Sequence, residues 1–394
     1  DKMKKTIIFF ISVIAASNLC AAQEIDTVLA LIERNNKDLQ VLRKNSEAAL
    51  LEISTENNVQ QDLSVSYSPF FSNGVNGVSS SELVVSMGFD FPTQYAARKK
   101  WNDYRNEETG RQYSLQRRDI LLEAKLLYLE IVRLNAEKAL LESRLENADR
   151  LLALVEKKFG EGGATVIELN KAKMDRMNIR TLAAQNEAAR RAALQNIEAM
   201  NGGMPVIIES EEYPQTQMIP DLETYCEYIS ASDLSVLSAE ASVDAAAQEI
   251  KVNRQNWLPK LEVGYRRNTA LNEASNGFLV GISVPLFSGM NKTKTAEARH
   301  SAAIANLENA RLKSLNEMRS KYYEAVSLAE TLREYDLPLM LGTLEALEKA
   351  VINGQFSIMD YYVEADGIYN SLAEYMNMEN RYHVLMAELY RNEL

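Results

Sequence analysis

Proline and glycine are scarce in this sequence, and that scarcity is the strongest constraint on its fold. The chain has 8 prolines and 16 glycines among 394 residues, and most of them fall in a few clusters. Because these residues are the strongest local breakers of helices, the segments between the clusters are predicted to be very long helices. A helix of roughly 60 residues extends about 90 Å. The sequence therefore predicts something other than a compact globular domain.

Hydrophobic residues in the long segments recur at the spacing of a coiled coil. Steps of three and four residues give each helix an apolar seam for a partner helix. Alanine at many seam positions allows neighbouring helices to approach closely. The clearest seams contain Leu122, Leu126 and Leu129 in the first half, and Leu315, Met318, Tyr322, Ala325, Ala329 and Leu332 in the second.

The composition argues against two classes of protein. Residues are 46% hydrophobic and 25% charged, and the formal net charge is −12. No apolar stretch beyond residue 22 is long enough to cross a bilayer as a helix, which argues against an inner-membrane protein. The acidic balance argues against a partner that is a nucleic acid.

Residues 3–22 are predicted to be a secretory signal peptide. Basic residues precede a short apolar run over residues 7–16, and a small-residue cleavage site follows at Ala22. Acylation of Cys20 is a competing interpretation, although the residue before it is bulky for a lipoprotein signal. Once the signal is removed, Cys226 is the only cysteine, so the mature chain has no intramolecular disulfide.

The sequence is predicted to contain one structural plan twice. Residues 23–205 read as a helix, two strands, a long helix, a glycine-rich turn and another helix. Residues 222–394 repeat that order after a linker at residues 206–221. The motif LxVxY at Leu63 recurs at Leu261, an offset of 198 residues. The second strands match at an offset of 193 residues, and the turns match at 192.

Apolar and polar side chains alternate along all four predicted strands. For a single strand, half burial in a soluble sheet is the simpler explanation. Agreement among four strands of about 9 to 11 residues instead favours strands that cross a membrane with one face toward lipid. In the second strand of each half, the predicted lipid-facing residues are Leu83, Val85, Met87, Phe89, Phe278, Val280 and Ile282.

Loops and aromatic residues bound the predicted strands. Residues 72–77 and 268–276 are expected to be outward loops. Four strands cannot close a barrel, so strands that span lipid require further copies of the chain to cover their edges. Aromatic residues gather near strand ends, as they do at the interfaces of membrane barrels; these are Phe70, Phe71, Trp257 and Phe287.

The order and duplication of these segments resemble the TolC or outer membrane factor family. The resemblance covers essentially the whole mature chain. It is most specific at residues 284–289 (VPLFSG), 257–261 (WLPKL), 159–172 and 354–360 (GQFSIMD). It implies an α+β membrane protein that is a homotrimer. Four strands from each protomer would complete a β-barrel, above a long α-helical coiled-coil barrel.

The resemblance also implies a function, which is a passive conduit for solutes in the cell outer membrane that extends into the periplasm. The expected partners are a periplasmic adaptor (membrane fusion protein), an inner-membrane pump of the resistance-nodulation-division (RND) type, and outer membrane lipid. The segment after Gly354 resembles members that work with heavy-metal RND pumps, so metal cations or drugs are candidate solutes. The alternative is a secreted periplasmic coiled-coil scaffold. An adaptor is disfavoured by the duplicated plan.

Nothing in the sequence indicates an enzyme, a cofactor site or a metal site. The two histidines, His300 and His383, lie in predicted helices. No catalytic triad, phosphate loop or metal-binding motif is present. Methionines such as Met174 and Met386 could bind Cu(I), but packing at helical seams is the simpler role.

Two groups of residues near the helical turns are predicted functional sites. By resemblance, Asp360 matches one position of a ring of carboxylates at the periplasmic entrance, and Glu364 lies one residue beyond a second position. Acidic residues that only stabilise a helix start are the alternative. The polar network that closes the entrance in the family is not matched, because Val351 and Phe356 occupy two of its positions. The predicted tip and adaptor contacts are Gly162, Gly163, Thr165, Glu168, Gly354 and Ser357.

Overall fold

The computed structural model describes residues 25–56, 63–74, 76–270, 273–285 and 291–394. The predicted signal peptide with Cys20 lies outside these residues, as does residue 75 of the first predicted loop. Residues 286–289 of the strand exit, including Phe287, also lie outside them. Within the described ranges, no helix combines the length and the apolar character needed to cross a membrane.

Long helices and short strands alternate along the chain, as predicted. Helix α3 alone has 69 residues, which confirms the expectation of very long helices. A short 3-10 helix at Arg391–Glu393 follows the last α-helix. The elements are α1 (25–35), α2 (Lys37–Glu56), β1 (Leu63–Phe70), β2 (Ser80–Phe89), α3 (Pro92–Gly160), α4 (Val166–Met200), α5 (Leu222–Ser232), α6 (Leu234–Asn253), β3 (Lys260–Ala270), β4 (Glu273–Ser283), α7 (Lys292–Arg333), α8 (Leu337–Ile352) and α9 (Ile358–Leu389).

The prediction of a single long helix in the second half is wrong, because the structure has two helices there, α7 and α8. Helix α7 ends at Arg333, and α8 begins at Leu337. Pro338 lies in the first turn of α8, where its missing N–H costs nothing, whereas in a continuous helix its ring would clash with the carbonyl of Glu334. The Asp336 side chain accepts a hydrogen bond from the backbone N–H of Leu339 at 2.9 Å and so caps the new helix.

The four strands form one antiparallel sheet in the order β1-β2-β3-β4. Residues directly opposite one another share a face of the sheet. The register therefore places all the predicted alternating apolar residues on one face. That apolar face contains Leu63, Val65, Tyr67, Leu83, Val85, Met87, Phe89, Leu261, Val263, Tyr265, Phe278, Val280 and Ile282.

The second predicted outward loop, residues 268–276, is wrong. Strand β3 continues to Ala270 and β4 begins at Glu273, and the two segments pair with each other as far as these two residues. The pairing includes Asn268 opposite Ser275. Asparagine, serine and glycine are typical of loops, but the antiparallel ladder satisfies their backbone groups and overrides that preference.

The two strand hairpins differ in register by an even number of residues. In the first hairpin, Leu63 lies opposite Met87. The sequence offsets make Leu261 and Val280 their equivalents, yet Leu261 lies opposite Ile282, two residues further along. Because side chains alternate with a period of two, this shift keeps the apolar residues on the same face.

The chain forms two compact units, each of which takes segments from both halves. The hairpin unit contains Asp1–Val41, Arg117–Ile229 and Leu315–Leu394. Of its first segment, only residues 25–41 are described. The sheet unit contains Leu42–Gln116 and Ser230–Ser314.

Three apolar clusters stabilise the hairpin unit. The first is centred on Tyr128 and Ile197, and a second surrounds the helical turns. The third contains Met318, Tyr322 and Ala325, so the predicted coiled-coil seam of α7 is buried. A fully buried Val, Leu, Ile, Phe or Met side chain stabilises the fold by about 1.5–3 kcal/mol relative to its exposed state.

Candidate functional site at the helical turns

The turns that join α3 to α4 and α8 to α9 have the same backbone geometry. Gly162 and Gly354 have φ angles of 75° and 72°, in the left-handed region that favours glycine. The N–H of Gly163 donates to the Lys158 carbonyl at 2.7 Å, and the N–H of Gln355 donates in the same way to Ala350 at 2.8 Å. Such bonds close the C-terminal end of a helix. The predicted turn glycines therefore occupy equivalent positions.

Both helices that leave these turns are capped by the predicted hydroxyl residues. The Thr165 hydroxyl accepts from the N–H of Glu168 at 3.2 Å, and the Glu168 carboxylate accepts from the N–H of Thr165 at 2.6 Å. Ser357 caps α9 by accepting from the N–H of Met359 at 3.2 Å. Hydrogen bonds from Thr165 hold the pKa of Glu168 below its ordinary value. Glu168 thus has a local role in α4, and its contact with an adaptor stays a prediction.

The predicted entrance residues lie on one exposed face of α9. Asp360 and Glu364 are one helical turn apart, and both are exposed in the protomer. Tyr361 and Tyr362, between them in the sequence, are buried on the opposite side of the helix. The two carboxylates can therefore face an aperture together. Their arrangement as a ring requires several protomers and stays a prediction.

Apolar packing surrounds the helical turns, including Val351 and Phe356, the two residues at which the resemblance implied a polar network. Val351 is buried and Phe356 is partly buried, and both belong to the cluster around the turns. Leu151 of α3 and Leu169 of α4 lie in the same cluster. The two helical hairpins, α3–α4 and α8–α9, are therefore held together near their turns by dispersion and the hydrophobic effect.

A network of charged residues also joins the two helical hairpins. The sequence analysis did not predict this network. The Arg144 guanidinium of α3 lies 2.8 Å from the Asp366 carboxylate of α9 and 3.7 Å from the Asp175 carboxylate of α4. It also lies 4.2 Å from the ring centre of Tyr369, a cation–π geometry. We name Arg144, Asp175, Asp366 and Lys171 the hairpin ion network.

Lys171 completes the network from α4. Its ammonium lies 3.9 Å from the Asp366 carboxylate and 5.1 Å from the ring centre of Tyr362. A partial signal for the network is present in the sequence, because Tyr362, Asp366 and Tyr369 fall on one face of a helix. The identity of Arg144 as their partner depends on tertiary packing between residues 222 positions apart.

Asp175 is the most buried acid of the network, with 12% of its side chain exposed. Burial raises the pKa of Asp175, the nearby Arg144 lowers it in part, and repulsion from Asp366 raises it further. The ionised form of Asp175 is therefore disfavoured in the folded state. The attraction of Asp175 to the two nearby cations, Arg144 and Lys171, does not fully offset the cost of removing its carboxylate from water.

The histidines and methionines do not form a recognisable metal site in the described part of the chain. No group of three His, Cys, Asp or Glu residues is arranged there to hold a metal ion. His383 stacks on Tyr213 with ring centres 4.2 Å apart, and burial lowers the pKa of His383 to about 4. Met386 is buried in the third apolar cluster, which supports the packing role for that residue, whereas Met174 is 51% exposed. His300 is half-buried in α7.

Comparison with known proteins confirms the resemblance described above. Residues 228–391 match the family model described as Outer membrane efflux protein. The chain is similar to Outer membrane protein TolC of Vibrio cholerae serotype O1, with 22% identity over 332 residues that cover 78% of this chain and 76% of that protein.

Solved structures confirm the fold over more than nine-tenths of the chain. A structure of CusC, described in connection with transmembrane channel formation, matches with a TM-score of 0.78 and 16% identity, covering 94% of this chain and 92% of CusC. The outer membrane protein VceC of Vibrio cholerae matches with a TM-score of 0.75 and 14% identity, covering 93% and 96%. The α+β class with an incompletely closed sheet in each protomer is therefore confirmed.

Asp175→Asn should raise the unfolding temperature at pH 7, because the amide removes a buried negative charge. A carboxylate with a raised pKa destabilises the fold only above its unfolded-state pKa of about 3.9, so the gain should vanish as the pH falls below about 4. Thermal unfolding followed by circular dichroism at several pH values measures this effect.

Asp366→Asn is the matched control for this prediction. It removes the 2.8 Å charge-assisted hydrogen bond from Arg144 and should therefore lower the unfolding temperature. We expect the free energy of unfolding to fall by about 1 kcal/mol or less. If Asp175→Asn lowers stability at pH 7 as much as Asp366→Asn does, the buried charge of Asp175 is favourable and our interpretation is wrong.

Proposed function

We propose the function of this chain from the premise that it belongs to the TolC-like outer membrane efflux proteins. The chain is one protomer of an outer-membrane efflux channel that extends into the periplasm. In this family the channel works with a periplasmic adaptor and an inner-membrane pump. The observation that carries the function is the sheet, which has one continuous apolar face and two open edges.

The exposure of the apolar face supports contact with lipid. Phe278 is 95% exposed and Val280 is 81% exposed, and Val65 on β1 is 61% exposed. Contiguous apolar surface of this kind marks a membrane or protein interface. The opposite face has mostly serines and glycines, with an ion pair between Glu82 and Arg266 and two apolar residues, Val84 and Leu279. This division is the one expected of strands between lipid and an aqueous lumen.

The open edges of the sheet support assembly into a trimer. Strands β1 and β4 each pair on one side only among the described strands. Unpaired backbone groups in lipid cost several kcal/mol each, so such edges must pair with another protomer. Closure by neighbouring copies satisfies these groups and encloses a lumen.

The helical turns are proposed as the adaptor site and the entrance. Gly162, Gly163 and Thr165 of the first turn, with Gly354 and Ser357 of the second, present similar backbone shapes that one adaptor surface can bind. Asp360 and Glu364 from three protomers would form rings of carboxylates at the periplasmic mouth, as the resemblance implies. Such rings select cations in pores.

The type of pump and the class of exported solute are further proposals. We infer an RND pump, of the heavy-metal type that the segment after Gly354 resembles. Exported solutes are then metal cations or drugs. Passive conduction needs no catalytic group, and the proposed role assigns none to this chain.

Val280→Arg should prevent assembly of a heat-resistant trimer in the outer membrane fraction. An arginine that faces lipid near the bilayer midplane costs about 2–4 kcal/mol. The matched control is Gly281→Arg, because Gly281 is the adjacent residue on the opposite face and the nearest atoms to a Cβ there belong to the flexible Glu262 side chain, at 3.2 Å. Cell fractionation and unheated gel electrophoresis measure the trimer.

Equal damage from the two substitutions would show that both faces are packed in a soluble core. A wild-type chain found as a periplasmic monomer or dimer would contradict the channel and favour a secreted coiled-coil scaffold.

Gly354→Val should abolish export while the trimer persists. A β-branched residue is strained at a φ of 72°, and that strain distorts the turn that we propose as an adaptor contact. Gly367→Val is the control, because a Cβ at either glycine meets no atom within 4 Å and only Gly354 has a positive φ. Accumulation of a fluorescent efflux substrate in cells measures export. Loss of the trimer in Gly354→Val would assign this glycine to folding instead.

Asp360→Asn should weaken cation selectivity and block by trivalent cations added from the periplasmic side. Like charges gathered at a narrow aperture raise the local negative potential, so multivalent cations bind there. Planar-bilayer recordings of the trimer measure both effects, and Glu364→Gln should give a smaller change. An open trimeric channel in which Asp360→Asn alters neither property would limit Asp360 to its role at the start of α9.

A further inference from the structure

Two adjacent arginines of β3 point to opposite faces of the sheet. Arg266 lies on the polar face and forms an ion pair with Glu82. Arg267 lies on the apolar face, opposite Leu83 of β2 and Asn276 of β4. The Arg267 side chain is exposed, and among the described residues it has no hydrogen bond or ion pair. One arginine is therefore neutralised, and the other presents its charge on an apolar surface.

Arg267 marks the row at which the apolar face ends. The rows nearer the helices are apolar across the sheet, through Val85 and Phe278. The row of Arg267 also contains Tyr67, Leu83 and Asn276. The next row, about 7 Å further along the strands, has no large apolar side chain and contains Pro69, Ser81, Thr269 and Ala274. The change from apolar to polar residues thus occurs at the end of the sheet where the strand hairpins connect.

Aromatic side chains surround this boundary. Tyr67 is 61% exposed in the row of Arg267. Tyr265 lies one row closer to the helices, and its hydroxyl donates to the Asn276 side chain at 2.7 Å. Tyrosines with an apolar ring and a hydrogen-bonded hydroxyl are typical of the interface between hydrocarbon and head groups.

We propose that Arg267 binds the phosphate of an anionic lipid in the outer leaflet of the membrane. The proposal rests on the proposed function, which places the apolar face against lipid and the strand hairpins on the outer side. An unpaired guanidinium is unfavourable in hydrocarbon, so the long side chain extends to the head groups. Its planar donors match two phosphate oxygens.

The position of Arg267 in the sheet keeps it available to lipid after assembly. Strand β3 lies between β2 and β4, so its own backbone groups are already paired on both sides. Neighbouring protomers pair with the edge strands instead. Each protomer of the trimer therefore presents one such arginine to the surrounding lipid.

The test reconstitutes the full-length trimer into vesicles of phosphatidylcholine that contain a minor fraction of phosphatidylglycerol. Trimers are then extracted in mild detergent, and native mass spectrometry counts the phosphatidylglycerol that each trimer retains. Arg267→Gln should retain about fivefold less than the wild type. Arg266→Gln is the matched control and should retain the wild-type amount, because Arg266 faces the lumen and is paired with Glu82.

Two results would overturn the lipid assignment while the channel stands. Equal retention by wild type and Arg267→Gln would do so, and so would an equal loss in both arginine variants. Displacement of the lipid by inorganic phosphate would assign the site to free phosphate. Failure of the wild-type chain to enter vesicles as a trimer would overturn the proposed function together with this inference.

Discussion

Backbone hydrogen bonding at the edges of the sheet is the constraint on which this structure depends. Strands β2 and β3 have partners on both sides, whereas β1 and β4 have one each. Water can satisfy such edges in a soluble protein, but lipid cannot. The protomer is therefore an incomplete object at the membrane, and completion requires copies of itself. Under the proposed function, the same symmetry that completes the sheet also gathers single residues, such as Asp360, into the rings that we propose at the entrance. Structural completion and the proposed chemistry of the entrance then follow from one requirement.

The hairpin unit combines two kinds of interaction with different tolerances. The apolar cluster around Val351 gains stability from any close packing, whereas the hairpin ion network needs specific geometry between three helices. Asp175 is unfavourably buried in its charged form, and Arg144 compensates only in part. The charge of Asp175 therefore does not stabilise the fold on balance, and its removal leaves Arg144 with its 2.8 Å contact to Asp366. The network is therefore better suited to fixing how the hairpins align than to holding them together.

Local chemistry decided which features could be predicted from the sequence. The turns at Gly162 and Gly354 were predictable because a positive φ and a following cap leave a signature within a few residues. The faces of the strands were predictable from period-two alternation. The connection between β3 and β4 was not, because its Asn, Ser and Gly residues are typical of loops until a partner strand pairs with them. The break before α8 was missed although Pro338 marks it. The hairpin ion network was beyond reach, since its partners meet only through tertiary packing.

The register difference between the two strand hairpins has a consequence for how such a gene can diverge after duplication. Leu261 lies opposite Ile282 where the first hairpin predicts Val280, a slip of two residues. A slip of one residue would have turned every apolar side chain of a strand toward the lumen, so only even slips are neutral. Insertions and deletions of any length can accumulate in the connections, which explains why the sequence offset drifts from 198 to 193 between the first and second strands. The parity of the register, rather than the length of the connection, determines which face of these strands is apolar.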